Sequence, residues 1–402
     1  MKSLKIRIEL NNEQTTLARK HAGIARYAYN WALARCKKTY AEKVEEIPYK
    51  RPSSVDLHKM WVSEVKSENK WTYETSKCSP QQAFRNLDGA YKRAFTVKGS
   101  QLPTFKKKGV NDSFYLEGAI SIKEGSNGCR LKLPKFSLVN CSERLPEVDI
   151  KNVVVSRQAN HWFVSFKTLK VPEKIVGIAQ KQVIGVDLGI NTLATLSDGK
   201  TFENNRPYKK YKRKLRIAQR KVSKKFVKGA KPQSKNYKKA SQKVAKIHYK
   251  ISCIRKDSLH KLTTYLAKNH SEIVIEDLNV KGMSKNHKLA SAILDGGFYE
   301  FKRQIDYKTR WYGSKMTVVD RFFPSSKTCS NCQCIKQDLT LKDRTYKCQI
   351  CGMEKDRDLN AAINLREKAV SYTVLNACGE VNKPKAQRLR TSTKQETNRE
   401  PL

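Results

Sequence analysis

The chain has 402 residues, with 82 Lys and Arg against 37 Asp and Glu, a net charge of +45 at neutral pH. Repulsion on that scale weakens an isolated fold, whereas nucleic-acid phosphates neutralise it with release of counterions; a merely solubilising surface needs far less charge. No run of 18 apolar residues, signal peptide or lipidation motif occurs. The expectation is a soluble protein of the cytoplasm, with no membrane partner and two to four domains.

Residues 1–10, MKSLKIRIEL, alternate as a half-buried strand does. Leu17, Ile24, Ala28 and Trp31 then fall on one helix face. Helical pattern continues to about Ala94, with Ser79-Pro80 as a start signal. From Pro103 to Leu169 the texture is short strands and turns, and VVVSRQANHWFVSFKTL predicts two strands joined by a polar turn. A helical block is thus inserted into a β-rich domain whose first strand is the N-terminal segment.

VPEKIVGIAQKQ reads as a linker, and KQVIGVDLGINTLATLSDGKTF as a buried hairpin around Gly-Ile-Asn. From Arg206 to Lys256 there are 21 Lys or Arg and no Asp or Glu, and Gly229 and Pro232 divide this stretch into two helices. Ala240, Val244, Ile247, Ile251 and Ile254 form an apolar stripe on the second. Solvated helices usually mix charge signs, so the basic faces are expected to meet nucleic acid. EIVIEDLNVKGM predicts a buried strand ending in acids, helical pattern runs on to about Tyr312, and MTVVDRFF is a further strand. A short helix is expected from Asp358, and a disordered tail over residues 379–402.

There are 11 cysteines, an odd number unevenly spaced, unlike a secreted disulfide framework. Cys329-x2-Cys332 and Cys348-x2-Cys351, 15 residues apart, have the spacing of a tetrahedral thiolate site for one structural zinc ion. Cys334 is left out of the symmetrical set.

Three acids stand where apolar elements end: Asp187 after VIGV, Glu276 after IVI, and Asp358 at the start of DLNAAINL. Such placement is costly unless a cation is bound, and three converging carboxylates repel without one. Mg²⁺ prefers oxygen ligands, and two such ions can clamp an in-line displacement at phosphorus. Asp277 is expected on the opposite strand face, solvated. Asp356 competes with Asp358, which is preferred because Ala361 and Ala362 let the following turn approach a sheet.

The chain resembles the TnpB proteins of bacterial insertion sequences, RNA-guided DNA nucleases related to compact type V CRISPR effectors. The matching text is IGVDLGINTLAT, IVIEDLNVKGM, PSSKTCSNC, YKCQICG and DRDLNAAINL, with ARYAYNWAL, CSPQQAFRNL and PTFKKK toward the N-terminus. The resemblance implies an α+β multidomain fold. A wedge-like β-barrel would occupy 1–10 and 99–172, with a helical recognition insert at 11–98. A RuvC-like, RNase H-type α/β nuclease domain would occupy 181–328 and 354–378, with a zinc ribbon at 329–353. It implies a nucleoid-associated monomer holding a guide RNA transcribed from the element's end. Double-stranded DNA would be cut beside a short flanking motif, with base pairing choosing the rest. Asp187, Glu276 and Asp358 would hold two Mg²⁺ ions. Lys77, Gln81 and Gln82 are candidates for reading the motif, Gln being suited to adenine. Lys106, Lys107 and Lys108, with Lys209, Lys210, Arg213, Lys224 and Lys225, are candidates for phosphate. Tyr27, Tyr29 and Trp31 are expected in the core. The alternatives are an RNA-guided repressor without cleavage, a CRISPR-associated effector and an RNase H-superfamily transposase.

Overall fold

Alternation at the N-terminus gives strand β1 (Lys2–Glu9), with Ile6 and Ile8 buried and Arg7 exposed between them. The structure, a computed structural model, describes residues 2–42, 51–125, 128–145, 148–169, 174–230, 232–340 and 343–377. After β1 come α1 (Asn12–Glu42), α2 (Ser54–Trp61) and α3 (Cys78–Thr96). Ile24, Ala28 and Leu33 of α1 pack against Leu57 and Trp61 of α2 and Phe84 of α3. The chain then returns to β2 (Ser113–Glu117), β3 (Ser121–Gly125), β4 (Gly128–Lys132), β5 (Leu138–Cys141), β6 (Asn152–Gln158) and β7 (His161–Thr168). These pair with β1 in the order β2-β6-β7-β1-β5-β4-β3. The β6–β7 hairpin turns at Ala159 and Asn160, with φ of 48° and 76°, the left-handed pair that a two-residue turn of type I′ requires. The domain expected as a barrel has β2 and β3 at the ends of this order, and no ladder joins those two among the described residues.

A second sheet contains β8 (Val183–Asp187), β9 (Thr192–Leu196), β10 (Thr201–Glu203), β11 (Glu272–Glu276) and β12 (Lys315–Val319), in the order β10-β9-β8-β11-β12. β8, β9 and β10 form an antiparallel meander, while β11 runs parallel to both β8 and β12. The helices α4 (Pro207–Ser223) and α5 (Lys235–Asn269) precede β11. Between β11 and β12 lie α6 (Val280–Met283), α7 (Ala290–Gly296) and α8 (Phe298–Tyr312). The hairpin β13 (Thr345–Lys347) and β14 (Glu354–Asp356) leads into α9 (Arg357–Ala377), 21 residues where a short helix was expected.

Both faces of this sheet are covered, so its central strands read as apolar runs rather than alternating ones. Ile184, Val186, Ile273 and Ile275 face Leu259 and Leu266 of α5 and the α8 core. Val274 and Val319 face Leu365 and Ala369 of α9.

The contacts divide the chain into two units, Met1–Glu173 with Pro207–Lys256, and Lys174–Arg206 with Asp257–Leu402. The two basic helices, expected within 181–328, therefore associate with the first unit as far as Lys256. Tyr249 of α5 lies against His161 and Phe163 of β7, with ring centroids 5.3 and 6.1 Å away. No described helix is long and apolar enough to cross a membrane. The tail at 379–402 lies outside the described residues.

Candidate metal centres and nucleic-acid interface

Strand register brings the first two acids together. Ile275 of β11 pairs with Val186 of β8 in a parallel ladder, so one further step sets Glu276 beside Asp187 at the carboxyl ends of both strands. Helix α9 supplies Asp358 from its first turn. That helix lies directly on the β8 backbone, because a Cβ at Gly185 would collide with the Ala362 carbonyl oxygen. Ala361 and Ala362 are buried there, the small-residue contact that DLNAAINL predicts.

All three half-buried carboxylates are held above the usual carboxylate range. The Asp187 pKa is pushed up to about 7, first by burial, then by the charges of Asp358 and Glu276. Glu276 is raised by burial and by Asp277, and Asp358 by burial and by Asp356. Among the described residues none of the three forms an ion pair, although the chain has 82 cationic side chains to offer. Asp112, by contrast, meets Arg26 at 3.0 Å. Asp277 meets Lys302 at 2.8 Å and also Arg321, and those two bonds hold its carboxyl below the usual range. Asp277 is thus solvent-accessible, as expected, and paired there by two cations. The carboxylates crowding Asp187 are an environment that a hard cation with oxygen ligands would relieve, although among the described residues only the four cysteines bring ligand atoms within 4.8 Å of one another.

The four cysteines form the second centre. The sulfurs of Cys329, Cys332, Cys348 and Cys351 all lie within 4.8 Å of one another. Cys329 Sγ is 3.6 Å from Cys351 Sγ, and Cys332 Sγ is 3.5 Å from Cys348 Sγ. A tetrahedron with Zn–S bonds of about 2.3 Å has sulfur–sulfur edges of about 3.8 Å, so the donor set fits zinc. The β13–β14 hairpin carries the second knuckle at its tip. The Cys334 thiol stands outside the group, but its backbone serves it: its carbonyl accepts from the Cys329 N–H at 2.8 Å, and its N–H donates to the Cys332 sulfur.

The candidate nucleic-acid contacts divide by environment. Lys77 is exposed and lines a groove of about 450 Å³ with His58, Trp61, Lys66 and Tyr73. Gln81 and Gln82 are half-buried, bonded to His58 Nε2 at 3.2 Å and Asn86 Oδ1 at 3.1 Å. Lys106 is tied to α1 through its backbone bonds with Asn30, and its Nζ lies 4.0 Å from the centroid of the Tyr29 ring. Lys107 and Lys108 are exposed, as are Lys209, Lys210, Arg213, Lys224 and Lys225. A groove of about 650 Å³ runs between α4 and α5, with Ile217, Ala240 and Ile247 below a rim that includes Lys221, Lys239 and Lys243. Tyr29 is buried and Trp31 half-buried, as expected. Tyr27 is a correction, 45 % exposed and edge-on to Trp61 and Trp71 at the margin of the helix stripe.

Two functional candidates escaped the sequence reading. Asn360 and Asn364 of α9 are fully buried and hydrogen-bonded to the loop that begins the first cysteine knuckle. Their signal was a pair of asparagines four apart inside a helix, where Asn is disfavoured without a partner.

Three family profiles match the chain: "Probable transposase" over residues 169–287, "Cas12f1-like, TNB domain" over 298–365 and "Helix-turn-helix domain" over 1–44. A protein of Escherichia coli named "Putative RNA-guided DNA endonuclease InsQ" is 34 % identical over 400 residues, which is 95 % of this chain and 94 % of that one. One of Streptomyces pristinaespiralis, named "Putative RNA-guided DNA endonuclease", is 35 % identical over 99 % of this chain and 96 % of its own length. The fold is shared with Cas12f1, solved by cryo-electron microscopy in complex with sgRNA and target DNA. That match has a TM-score of 0.53 and 15 % identity, covering 89 % of this chain and 83 % of Cas12f1.

Proposed function

We propose, since the chain belongs to the TnpB family, that it is an RNA-guided endonuclease cutting double-stranded DNA beside a short flanking motif. The observation that carries this is the convergence of Asp187 and Glu276, at the carboxyl ends of β8 and β11, with Asp358 of α9, all three without an ion pair among the described residues. Open α/β sheets place their ligands at that edge. A meander continued by two parallel strands supports the RuvC-like, RNase H-type reading of the second sheet, and the first sheet with its inserted helices suits a wedge-like and recognition role.

In this reading Asp187 and Glu276 are fixed by the ladder and Asp358 by the seating of α9, so the carboxylates are held before substrate arrives. Two Mg²⁺ ions at this site would activate water and stabilise the leaving oxygen at a phosphodiester. The four cysteines would hold one structural zinc ion, with no open position for chemistry. The basic faces of α4 and α5 would follow the backbone of guide RNA or DNA, by charge rather than sequence.

The "Probable transposase" profile over residues 169–287 favours a second reading, strand transfer without a guide. A guided repressor would not need all three acids. Cleavage of matched and mismatched targets by RNA-loaded and RNA-stripped protein separates these readings. Guided cutting requires RNA and prefers the match; equal cutting of both targets with or without RNA leaves an unguided nuclease.

A further inference from the structure

Helix α9 has two working faces. At about 100° per residue, Asp358, Ala361, Ala362, Leu365 and Ala369 share one, and this is the face that meets the sheet. Arg357, Asn360 and Asn364 share another about 120° around. The second face grips the loops of the cysteine site. Asn360 Oδ1 accepts the N–H of Ser330, inside the first knuckle, at 2.9 Å, and its Nδ2 donates to the Thr328 carbonyl at 2.7 Å. Asn364 Nδ2 donates to the same Thr328 carbonyl at 2.6 Å and to that of Ser325 at 2.8 Å. Arg357 adds a side-chain bond to the Thr340 carbonyl at 3.0 Å, and its N–H donates to the Arg344 carbonyl at 2.8 Å. Thr328 immediately precedes Cys329, so these bonds start at the zinc-binding turn itself.

We infer that Asn360 and Asn364 are positioning residues through which the filled four-cysteine site sets the place of Asp358 beside Asp187 and Glu276. The inference rests on the nuclease reading of those three acids. Its physical basis is the direction of the helix. The Gly185–Ala362 contact fixes how closely α9 approaches β8, but a helix packed through alanines can still slide or rotate along a strand. The asparagine bonds oppose that movement from a second direction, and they act within two and six residues of Asp358. Both amides are buried, so breaking their bonds leaves the Thr328 carbonyl without its donors in a site closed to water, which buried polar groups tolerate poorly. A metal-filled knuckle holds Thr328 and Ser330 in the geometry those amides need, and an empty one releases it. The ribbon thereby does more than hold itself together: it completes the second metal centre from a distance.

The test compares Asn360→Ala and Asn364→Ala with Asn364→Asp, which keeps the shape at that site and loses the donor. The full-length protein loaded with its guide RNA is used throughout. Three quantities are read: zinc per chain, affinity for target DNA in EDTA, and Mn²⁺ affinity by electron paramagnetic resonance, with the Mn²⁺ needed for half-maximal cleavage beside it. The expected result is one zinc per chain and unchanged DNA affinity, with Mn²⁺ affinity weakened about tenfold or more, the scale for an outer partner of a metal ligand. Wild-type Mn²⁺ affinity in all three variants overturns the inference. So does loss of zinc along with Mn²⁺ affinity, because the asparagines then serve only to fold the ribbon. An Asp358→Ala protein that cuts normally would instead sink the nuclease reading, so the two failures are distinct.

Discussion

Asp356 caps the helix that Asp358 enters: its Oδ1 accepts the N–H of Asp358 at 2.9 Å and of Leu359 at 3.0 Å. The two acids, two residues apart, thus have separate tasks, and only Asp358 has a carboxylate free of the helix end. Asp356→Asn keeps an acceptor at the cap and is expected to cut within a few-fold of wild type. Asp356→Ala should lose about 1 kcal/mol of stability with the cap. Asp358→Ala should abolish cleavage and leave target binding nearly intact. Cleavage assays beside binding assays decide the matter, and an active Asp358→Ala with an inactive Asp356→Asn would reverse the assignment.

Asp187 is held at a cost. It is raised to about 7 because burial and two neighbouring carboxylates disfavour its charge. Asp187→Asn removes the charge and keeps the shape. In EDTA the variant is therefore expected to melt higher than wild type, by on the order of 1–2 kcal/mol, while losing cleavage altogether. Added Mg²⁺ should raise the melting temperature of wild type and not of the variant, since binding to the folded state alone stabilises it. Thermal melts with and without Mg²⁺ test this, and an equal metal response in the two proteins would remove Asp187 from the ligand set.

Much of the site could be read locally, and the reasons are physical. A carboxylate closing an apolar strand is conspicuous because burial penalises it, which exposes Asp187 and Glu276 in the sequence. Thiolate sites have narrow spacing, which exposes the four cysteines. Pairing over long sequence distance leaves no such mark: that β1 enters the middle of a seven-stranded sheet, between β7 and β5, depends on residues more than 130 positions away. Nor does periodicity say which body a stripe packs on, so Ala240 and Ile251 were legible as buried while the association of α5 with β7 through Tyr249 was not. Asn360 and Asn364 left only the faint mark of two asparagines four apart in a helix, because their partners are backbone groups, which no sequence displays.

Zinc content should follow the geometry of the sulfurs. Wild type and Cys334→Ser are each expected to carry one zinc per chain, since Cys334 lies outside the group. Cys348→Ser should lose the metal and the order of the β13–β14 hairpin with it, because metal binding and local folding are coupled. Elemental analysis of the three proteins is the measurement; a zinc-free wild type would end the assignment.

His21 makes the first unit sensitive to acid. The ring is fully buried in α1, against Phe114 and Phe136 at 4.9 and 5.3 Å. Its Nδ1 lies 3.0 Å from the Leu17 carbonyl, and its Nε2 accepts the N–H of Ser76 at 3.0 Å, which only the neutral ring can do. Burial lowers its pKa to about 4, against about 6.5 in an unfolded chain. Between those values the unfolded state binds a proton that the folded state does not. Stability is therefore full above pH 6.5 and falls toward pH 4, by up to about 1.4 kcal/mol per pH unit. His21→Gln should be less stable at pH 7.5 and show a flatter profile in that window. Denaturant midpoints across the window, with exchange protection of the Ser76 amide, report it; parallel profiles would assign the acid sensitivity elsewhere.

The basic helices give the last prediction. Lys209, Lys210, Arg213, Lys224 and Lys225 are exposed on or just beyond α4, in a stretch with no acid to pair them within the hairpin. If they follow a phosphate backbone, replacing all five with Gln should weaken guide and target binding whatever the sequence. The dependence of log affinity on log salt should also flatten, by about 0.7–0.9 for each phosphate no longer neutralised. The preferred flanking motif should not change, because phosphate contacts carry little sequence information and the candidate readers Lys77, Gln81 and Gln82 lie at the start of α3. Salt titrations of binding for two unrelated guides, with selection of the flanking motif by wild type and variant, test both halves. An unchanged slope would mean that these side chains touch no phosphate, and an altered motif would place sequence reading in α4 instead.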